Sequence, residues 1–169
     1  MPRSFSRRDR KAGKNTVRWH KAFLLPMPGE CVRRLSLGGH LALVATQHED
    51  GNRHLLNDLT RILYFTFFLE SESGNVSDPE SFLRAEEVLD RAVLRASETA
   101  VWRIEREEAE VLRPILCKYD EQIGSVSSRR YIEAETQLAK LLRSDHTVSP
   151  LKERLGMAVV RRTHDAGKS

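Results

Sequence analysis

Apolar residues recur every three to four positions along most of this chain, which is the spacing of one face of an α-helix. The pattern predicts helices over residues 30–47, from Asn52 to about residue 70, and from Pro79 onward. Asn52 and Asp78 are typical N-caps because their side chains accept hydrogen bonds from free backbone amides. Proline is tolerated at the first helical position. The first half of the chain therefore indicates three helices separated by short polar loops.

The second half shows the same periodicity. One helix is predicted to end at Gly124, another to span residues 127–143 with a serine cap, and a short one to follow Ser149 and Pro150. Pro114 predicts either a kink in its helix or a later start. A single helix of about 45 residues is far above the usual length, so we expect a break between residues 98 and 104. No stretch alternates apolar and polar residues between hairpin turns, and no sheet is predicted.

The predicted fold is all-α, with five or six helices in an antiparallel bundle. The second half of the second helix is apolar almost all round, so we expect it to form the buried centre. The first and third helices are expected to turn one apolar face inward. These faces comprise Val32, Leu35, Leu37, Leu41, Leu43 and Val44 in the first helix, and Phe82, Leu83, Ala85, Leu89, Ala92, Val93 and Ala96 in the third.

Charge is distributed unevenly over the 169 residues, although the net value is only +4. Residues 1–21 hold eight basic residues and one acidic residue, residues 70–122 have a net charge of −7, and residues 152–169 have +3. A charged segment with few apolar side chains cannot offset the entropy of ordering. We therefore expect a disordered basic arm with a proline turn over residues 1–28, a helical domain over 29–163 and a frayed tail over 164–169.

The basic arm is the one sequence feature with a functional mechanism. Flexible Lys and Arg side chains neutralise phosphates and release counterions without a folded recognition surface. A tryptophan among them adds a side chain for stacking or wedging, and charge alone gives affinity without sequence readout. The predicted nucleic-acid-binding residues are Arg3, Arg7, Arg8, Arg10, Lys11, Lys14, Arg18, Trp19 and Lys21.

A second pattern lies further along the chain and comprises Trp102, Ile104, Glu107, Glu108, Leu112, Leu116, Tyr119, Asp120 and Gln122. With the basic start, the prolines that follow it and the apolar segment 40–69, it resembles a group of uncharacterised proteobacterial proteins that are loosely labelled Fis-family transcriptional regulators. The resemblance is spread thinly over most of the chain. It implies a loop before the tryptophan and a label of transcription regulation, and it supplies no catalytic residues.

Fis proteins themselves have a C-terminal helix-turn-helix, and residues 151–163 are the nearest segment to one here. Pro150 leaves its first helix only about five residues, and the chain ends before a full recognition helix. A solvated basic tail is the preferred interpretation of this segment.

Catalytic signatures are absent from the sequence. It has no Walker-type phosphate loop, no G-x-S-x-G elbow and no H-E-x-x-H zinc motif, so we expect a protein that is not an enzyme. The carboxylate pairs Glu86/Glu87 and Glu107/Glu108 resemble acid–base pairs only superficially. Adjacent helical residues point about 100° apart, so all four are expected to be solvated.

Candidate metal ligands are also few. His40, His48 and His54 match no standard metal site, and we expect His40 to pack closely beside its glycines and the other two to flank a loop. Two cysteines make neither a disulfide framework nor a zinc site, so Cys31 and Cys117 are expected in the core. No cofactor and no metal are predicted.

Membrane spans are not predicted either. The longest apolar run, residues 62–69, is interrupted by Thr66, whereas a bilayer needs about 20 apolar residues. The apolar stretch 22–25 is too short for a secretory signal. We expect a cytoplasmic protein without membrane contact, although the Arg- and Ser-rich start is also compatible with an organellar transit peptide.

Two functions stay open at this point. The first is a non-catalytic, nucleic-acid-associated regulatory or accessory protein that binds phosphates through the arm, with DNA favoured. The second is a helical adaptor for a protein partner, which would contact it through the acidic segment 105–110 or the apolar second helix. Formation of a homodimer is compatible with both.

Overall fold

A computed structural model describes residues 21–153 except 22, 73, 75 and 145–148. Within this part, the five long helices are α1 (Gly29–Thr46), α2 (Arg53–Ser71), α3 (Pro79–Thr99), α4 (Arg106–Ser125) and α5 (Ser128–Arg143). Residues 150–153 form a further helical turn. The only β-type pairing in these ranges is an isolated bridge between Pro26 and Ser127. The predicted all-α fold is confirmed.

Three of the helices begin at caps that the sequence predicts. The Asn52 side chain accepts hydrogen bonds from the amides of His54 and Leu55, at 3.0 and 3.2 Å. The Asp78 carboxylate accepts one from the Ser81 amide at 3.2 Å, and the Ser127 hydroxyl begins α5 in the same manner. Each cap satisfies backbone donors that have no partner inside the helix.

The predicted break between the third and fourth helices is confirmed. Ala100 ends α3 in the left-handed region, with φ 59°, a conformation that costs a residue with a Cβ atom about 1 kcal/mol. Its amide donates to the Ala96 carbonyl at 2.9 Å and so closes the helix end. Pro114 lies inside α4, so the later start considered for this helix is wrong.

Contacts between side chains establish that the helices run antiparallel. Along each pair, residue numbers rise on one helix while they fall on the other. The contacts are Tyr64–Glu86 and Phe67–Phe82 for α2 and α3, Arg61–Glu135 and Leu69–Arg130 for α2 and α5, and Arg95–Glu108 and Phe82–Lys118 for α3 and α4. The chain therefore folds as the up-and-down bundle that short loops favour.

Helix α2 is the centre of the bundle and packs against all four other long helices. Its second half is covered on every side, and Phe67 is 0% exposed. Full burial of such a side chain contributes about 1.5–3 kcal/mol. The hydroxyl of buried Thr66 donates to the Ile62 carbonyl at 2.7 Å, so this hydroxyl is satisfied inside the core. This confirms the predicted central helix. None of the helices in the described ranges is apolar and long enough to cross a bilayer.

The inward faces of α1 and α3 differ in part from the predicted ones. Leu43 of α1 is buried, but Leu37, Leu41 and Val44 are more than half exposed. In α3, Val88 is buried and Val93 is exposed. For α1 the reason is positional, because within the described residues it packs mainly against α2 and α4.

Gly39 allows the close packing of α1 on its neighbours. A Cβ atom at this position would lie 2.9 Å from Cδ1 of Ile62 and 3.2 Å from Cδ2 of Leu116. The adjacent Gly38 faces open space, with no atom within 4 Å of such a Cβ. The two glycines therefore have different roles despite their identical chemistry.

This difference predicts opposite packing effects for two matched variants. Gly38→Ala is expected to raise the free energy of unfolding by about 0.5–1 kcal/mol, the usual gain for replacing a helical glycine. Gly39→Ala is expected to be less stable than Gly38→Ala by at least about 1 kcal/mol, because two side chains must shift. Urea denaturation of both variants measures the difference, and an equal gain at the two positions would contradict the packing role of Gly39.

Candidate functional site

Of the nine predicted nucleic-acid-binding residues, the structure describes only Lys21, whose side chain is exposed. The candidate helix-turn-helix is described only as far as residue 153, and the predicted frayed tail lies wholly outside the described residues. The remaining predicted binding residues that also lie outside them are Arg3, Arg7, Arg8, Arg10, Lys11, Lys14, Arg18 and Trp19.

The segment that follows Lys21 is fixed to the start of α5. The Leu25 carbonyl oxygen accepts hydrogen bonds from the amide and the hydroxyl of Ser128, at 2.8 and 2.9 Å. The neighbouring Pro26 forms the β-bridge with Ser127. These contacts place the beginning of the described chain at the end of the bundle where α1 and α5 start, which we call the arm end.

Several basic side chains lie at the arm end. The N-termini of α1, α3 and α5 and the C-termini of α2 and α4 meet there, so the helix dipoles largely offset one another. Arg33 and Arg34 are exposed and form no ion pair with any residue in the described ranges, as is also true of Lys21. Glu30 is the nearby exposed carboxylate of α1, and Arg129 is neutralised by Glu133 at 2.8 Å. Asp78 and Glu121 are also exposed at this end without an ion pair among the described residues, so the unpaired charges here are mixed.

A cleft of about 270 Å³ opens between α1 and α5, with α2 as its floor. Its polar lining balances the charges of Arg34 and Arg61 against those of Asp58 and Glu135. Arg61 and Glu135 pair across it at 3.5 Å. Ligand pockets usually measure about 300–1,000 Å³, so this cleft suits at most a single side chain or a small molecule.

The two tyrosines of the cleft do not favour catalysis. Burial, together with the charge of Glu135, raises the pKa of Tyr131 to about 12. Burial also raises the pKa of Tyr119. Both phenols therefore stay protonated at neutral pH and can serve as hydrogen-bonding groups but not as bases.

The structure corrects the expectation that Glu86 is solvated. Its side chain is buried in the middle of α3, whereas its neighbour Glu87 is exposed as expected. One carboxylate oxygen accepts hydrogen bonds from the hydroxyls of Tyr64, at 2.8 Å, and Ser149. The other lies 3.8 Å from Nζ of Lys152. Glu86 therefore ties the last described turn of the chain to the bundle, which is a structural role.

Glu108 is likewise not solvated. It receives two hydrogen bonds from the Arg95 guanidinium, at 2.8 and 2.6 Å, and one from the Glu105 amide at 3.0 Å. These bonds, led by those from Arg95, hold the pKa of the Glu108 carboxyl below its usual value. The pair joins α3 to α4 across the break, so only Glu105, Glu107 and Glu110 of the acidic segment face solvent.

The histidines form no metal site in the described part of the chain, where no three ligand-type side chains come together. His48 and His54 are exposed, as expected. His40 differs from its expectation, because its Nε2 lies 2.8 Å from Asp120 Oδ2 and links α1 to α4. The close-packing position beside it is Gly39.

The two cysteines are free thiols, with Cys31 half-buried and Cys117 exposed. The expectation of a core position is wrong for Cys117. It follows the buried Leu116 by one residue, which turns its side chain about 100° around α4. No disulfide or thiolate chemistry is indicated at either position.

The residues that carry the family resemblance have packing roles. The Ile104 amide donates to the Thr46 carbonyl at 2.9 Å. The Trp102 carbonyl lies against Gly51, where a Cβ atom would be only 2.0 Å from that oxygen. Ile104 and Leu116 are buried. The pattern therefore describes how the start of α4 holds the turn between α1 and α2.

The sequence interpretation missed one surface, the exposed side of α1. Leu37, Leu41 and Val44 lie on it and are here called the α1 stripe. Their spacing along the sequence predicts that they belong to the inward face of the helix. The signal that could have revealed them is the presence of apolar residues on both sides of α1, because a peripheral helix can bury only one side.

Comparison of the chain with protein-family models, curated proteins and solved structures gives no match. The assignment of a function therefore rests on the residues of this chain, and the resemblance to Fis-labelled proteins stays a prediction.

The Arg95–Glu108 pair predicts a pH-dependent stability. We expect Glu108→Gln to lower the free energy of unfolding at neutral pH by about 1–3 kcal/mol, the usual worth of hydrogen bonds to a charged group. A lowered pKa stabilises the folded state above the unfolded value of about 4.3, and this contribution is lost as pH falls through the folded pKa. The difference from the natural protein should therefore shrink in acid.

Urea denaturation between neutral and acidic pH measures this effect. Glu107→Gln is the matched control, because Glu107 is exposed beside Glu108 and should show a small difference at every pH. A Glu108→Gln difference that does not change with pH would contradict the role assigned to the pair.

Proposed function

We propose that this protein is a non-catalytic, nucleic-acid-associated regulatory or accessory protein that binds phosphates through its basic N-terminal segment. The observation that carries the proposal is the composition of residues 1–21, where eight basic residues accompany a single acidic one. Such a density of cations releases counterions from nucleic acid on binding, and this release supplies affinity for any sequence.

The geometry of the arm end supports the proposal. Hydrogen bonds from Ser128 hold Leu25, so the basic segment is tethered to a rigid position. Lys21, Arg33 and Arg34 extend its positive charge onto the bundle, where they have no ion-pair partner among the described residues. A phosphate backbone held by the segment would meet these three cations beside Glu30, Asp78 and Glu121, so the segment itself supplies most of the attraction.

Charge on the rest of the molecule supports an oriented complex. Residues 70–122, which include α3 and most of α4, have a net charge of −7. Their field repels phosphates, which disfavours binding along α3 and α4. The resemblance to Fis-labelled proteins favours DNA over RNA as the ligand.

A protein adaptor is the second candidate function, and the α1 stripe is the observation that favours it. The structure changes the interpretation of both surfaces that the sequence suggested for contact with a protein partner. The apolar second helix is α2, which is buried and cannot meet a partner. In the acidic segment 105–110, Glu108 forms an ion pair with Arg95, so its charge is already neutralised within the bundle. The exposed side of α1 is the apolar surface that the fold leaves for a protein partner.

Titration against double-stranded DNA of unrelated sequence tests the first function. Full-length protein that neutralises about six phosphates should show a slope near −5 in log K against log salt, with about a thousandfold loss of affinity between 50 and 200 mM salt. Replacing five arm residues by Gln should bring the slope to about −1, since each cation contributes about 0.9. The replaced residues are Arg3, Arg7, Arg8, Arg10 and Lys11.

A matched control neutralises the same number and type of residues at the opposite end of the bundle. All five are exposed and form no ion pair with another described residue, so the fold should be unaffected. They are Arg53, Arg103, Arg106, Lys140 and Arg143, each replaced by Gln. Equal loss in both variants, or no loss in the arm variant, would contradict the proposed function. Tighter binding to single-stranded RNA than to DNA would change the ligand but keep the role of the arm.

A further inference from the structure

The solvent side of α1 is apolar along its middle. The residues of the α1 stripe, Leu37, Leu41 and Val44, are 59%, 56% and 52% exposed. Their spacing of four and three positions aligns them in one row along the helix. The opposite side of α1 buries Ala42 and Leu43 in the core. Helix α1 therefore has apolar residues on two opposite sides, as a helix packed between two neighbours would. In the described part of the chain, only one of these sides is covered.

Charged side chains lie beyond both ends of the stripe and have opposite signs. Arg33 and Arg34 precede it, whereas Glu49 and Asp50 follow it in the turn after α1. All four side chains are exposed, and none forms an ion pair with another described residue. Arg33 and Glu49 each lie eight residues from Leu41. The charges are therefore arranged around the middle of the stripe with one sign at each end.

The signs reverse once more further out. Glu30 stands before the two arginines in the first turn of α1, and Arg53 stands after the two carboxylates at the start of α2. Both side chains are exposed. Arg53 belongs to α2, so along α1 and the turn that follows it the order of charges is acidic, basic, apolar and acidic. A surface with this order is complementary to itself when one copy is reversed.

We propose that the α1 stripe is the site at which two copies of this chain associate, with their α1 helices antiparallel about a twofold axis near Leu41. This arrangement places Leu41 against the partner's Leu41 and Leu37 against the partner's Val44. It also brings Arg33 and Arg34 of each copy toward the acidic turn of the other. The interface uses the same patch twice, as a closed dimer requires.

Charge selects this arrangement over a parallel one. Parallel helices would bring the four arginines of two copies together and set the acidic turns against each other, which costs free energy. Gly38 lies beside the stripe and faces open space. Because it has no side chain, the backbone of the second helix can approach closely at that point.

Leu94 on α3 lacks these features. It is 61% exposed, but Arg91, one turn before it, and the adjacent Arg95 both pair with Glu108. A contact between single helices buries less than the roughly 1,200–2,000 Å² typical of stable complexes. The dimer is therefore expected to be reversible, with a dissociation constant in the micromolar range.

Sedimentation velocity of the full-length protein without nucleic acid tests the proposal over concentrations of about 1 to 200 µM. We expect a concentration-dependent shift from monomer to dimer. Leu41→Glu places two carboxylates at the axis and should weaken association at least tenfold. Leu94→Glu is the matched control and should leave it unchanged, since both leucines are similarly exposed. Circular dichroism establishes that each variant keeps its helices.

A charge reversal tests the antiparallel arrangement by rescue. Arg33→Glu with Arg34→Glu should weaken the dimer, and adding Glu49→Arg with Asp50→Arg to the same chain should restore it. A protein that sediments as a monomer at all concentrations would overturn the proposal, and the α1 stripe would then be a contact surface for a different protein. Association that survives Leu41→Glu, or reversal without rescue, would overturn it as well. Because no nucleic acid is present, these outcomes are independent of the proposed phosphate binding.

Discussion

The structure depends on the need to cover one helix on every side. The second half of α2 presents Leu63, Phe65, Phe67 and Phe68 in different directions, and water must be excluded from all of them. Four helices surround α2, and each must bring its own apolar face to it. The gap between α1 and α5 leaves the small charged cleft, and the peripheral position of α1 leaves its second apolar side exposed. Both surface features are consequences of the central helix.

Two buried carboxylates join parts of the chain that helix packing alone would leave loose. Glu108 connects the two sides of the α3–α4 break, and Glu86 holds the turn at residues 149–152. A carboxylate buried without partners is costly, so each also requires its arginine, lysine or hydroxyl to stay in place. The loop before α4 also contains Trp102, whose close contact with Gly51 fixes the turn between α1 and α2. The positions of these two acidic side chains are therefore explained by architecture.

The two surfaces proposed for binding lie at different places on the bundle, one at the arm end and one along the side of α1. The basic segment joins at the arm end, beside the unpaired Arg33 and Arg34, while residues 70–122, which include α3 and most of α4, have a net charge of −7. The α1 stripe lies between the arm end and the acidic turn at Glu49 and Asp50. In the proposed dimer, the acidic turn of the partner copy pairs with Arg33 and Arg34 and neutralises them. Phosphate binding and self-association would therefore compete for the same two arginines.

The sequence by itself determined the helices, their caps and the identity of the central one. Asn52, Asp78 and the break before Trp102 are local features, because a cap or a helix end depends on residues within one or two turns. The basic segment was equally evident, since net charge needs no fold. Only the tertiary structure decided that Leu41 faces water, that Glu86 is buried, that Glu108 pairs with Arg95, and that Leu25 accepts hydrogen bonds from Ser128. Those outcomes depend on which helices become neighbours, and periodicity identifies an apolar side without specifying what will cover it.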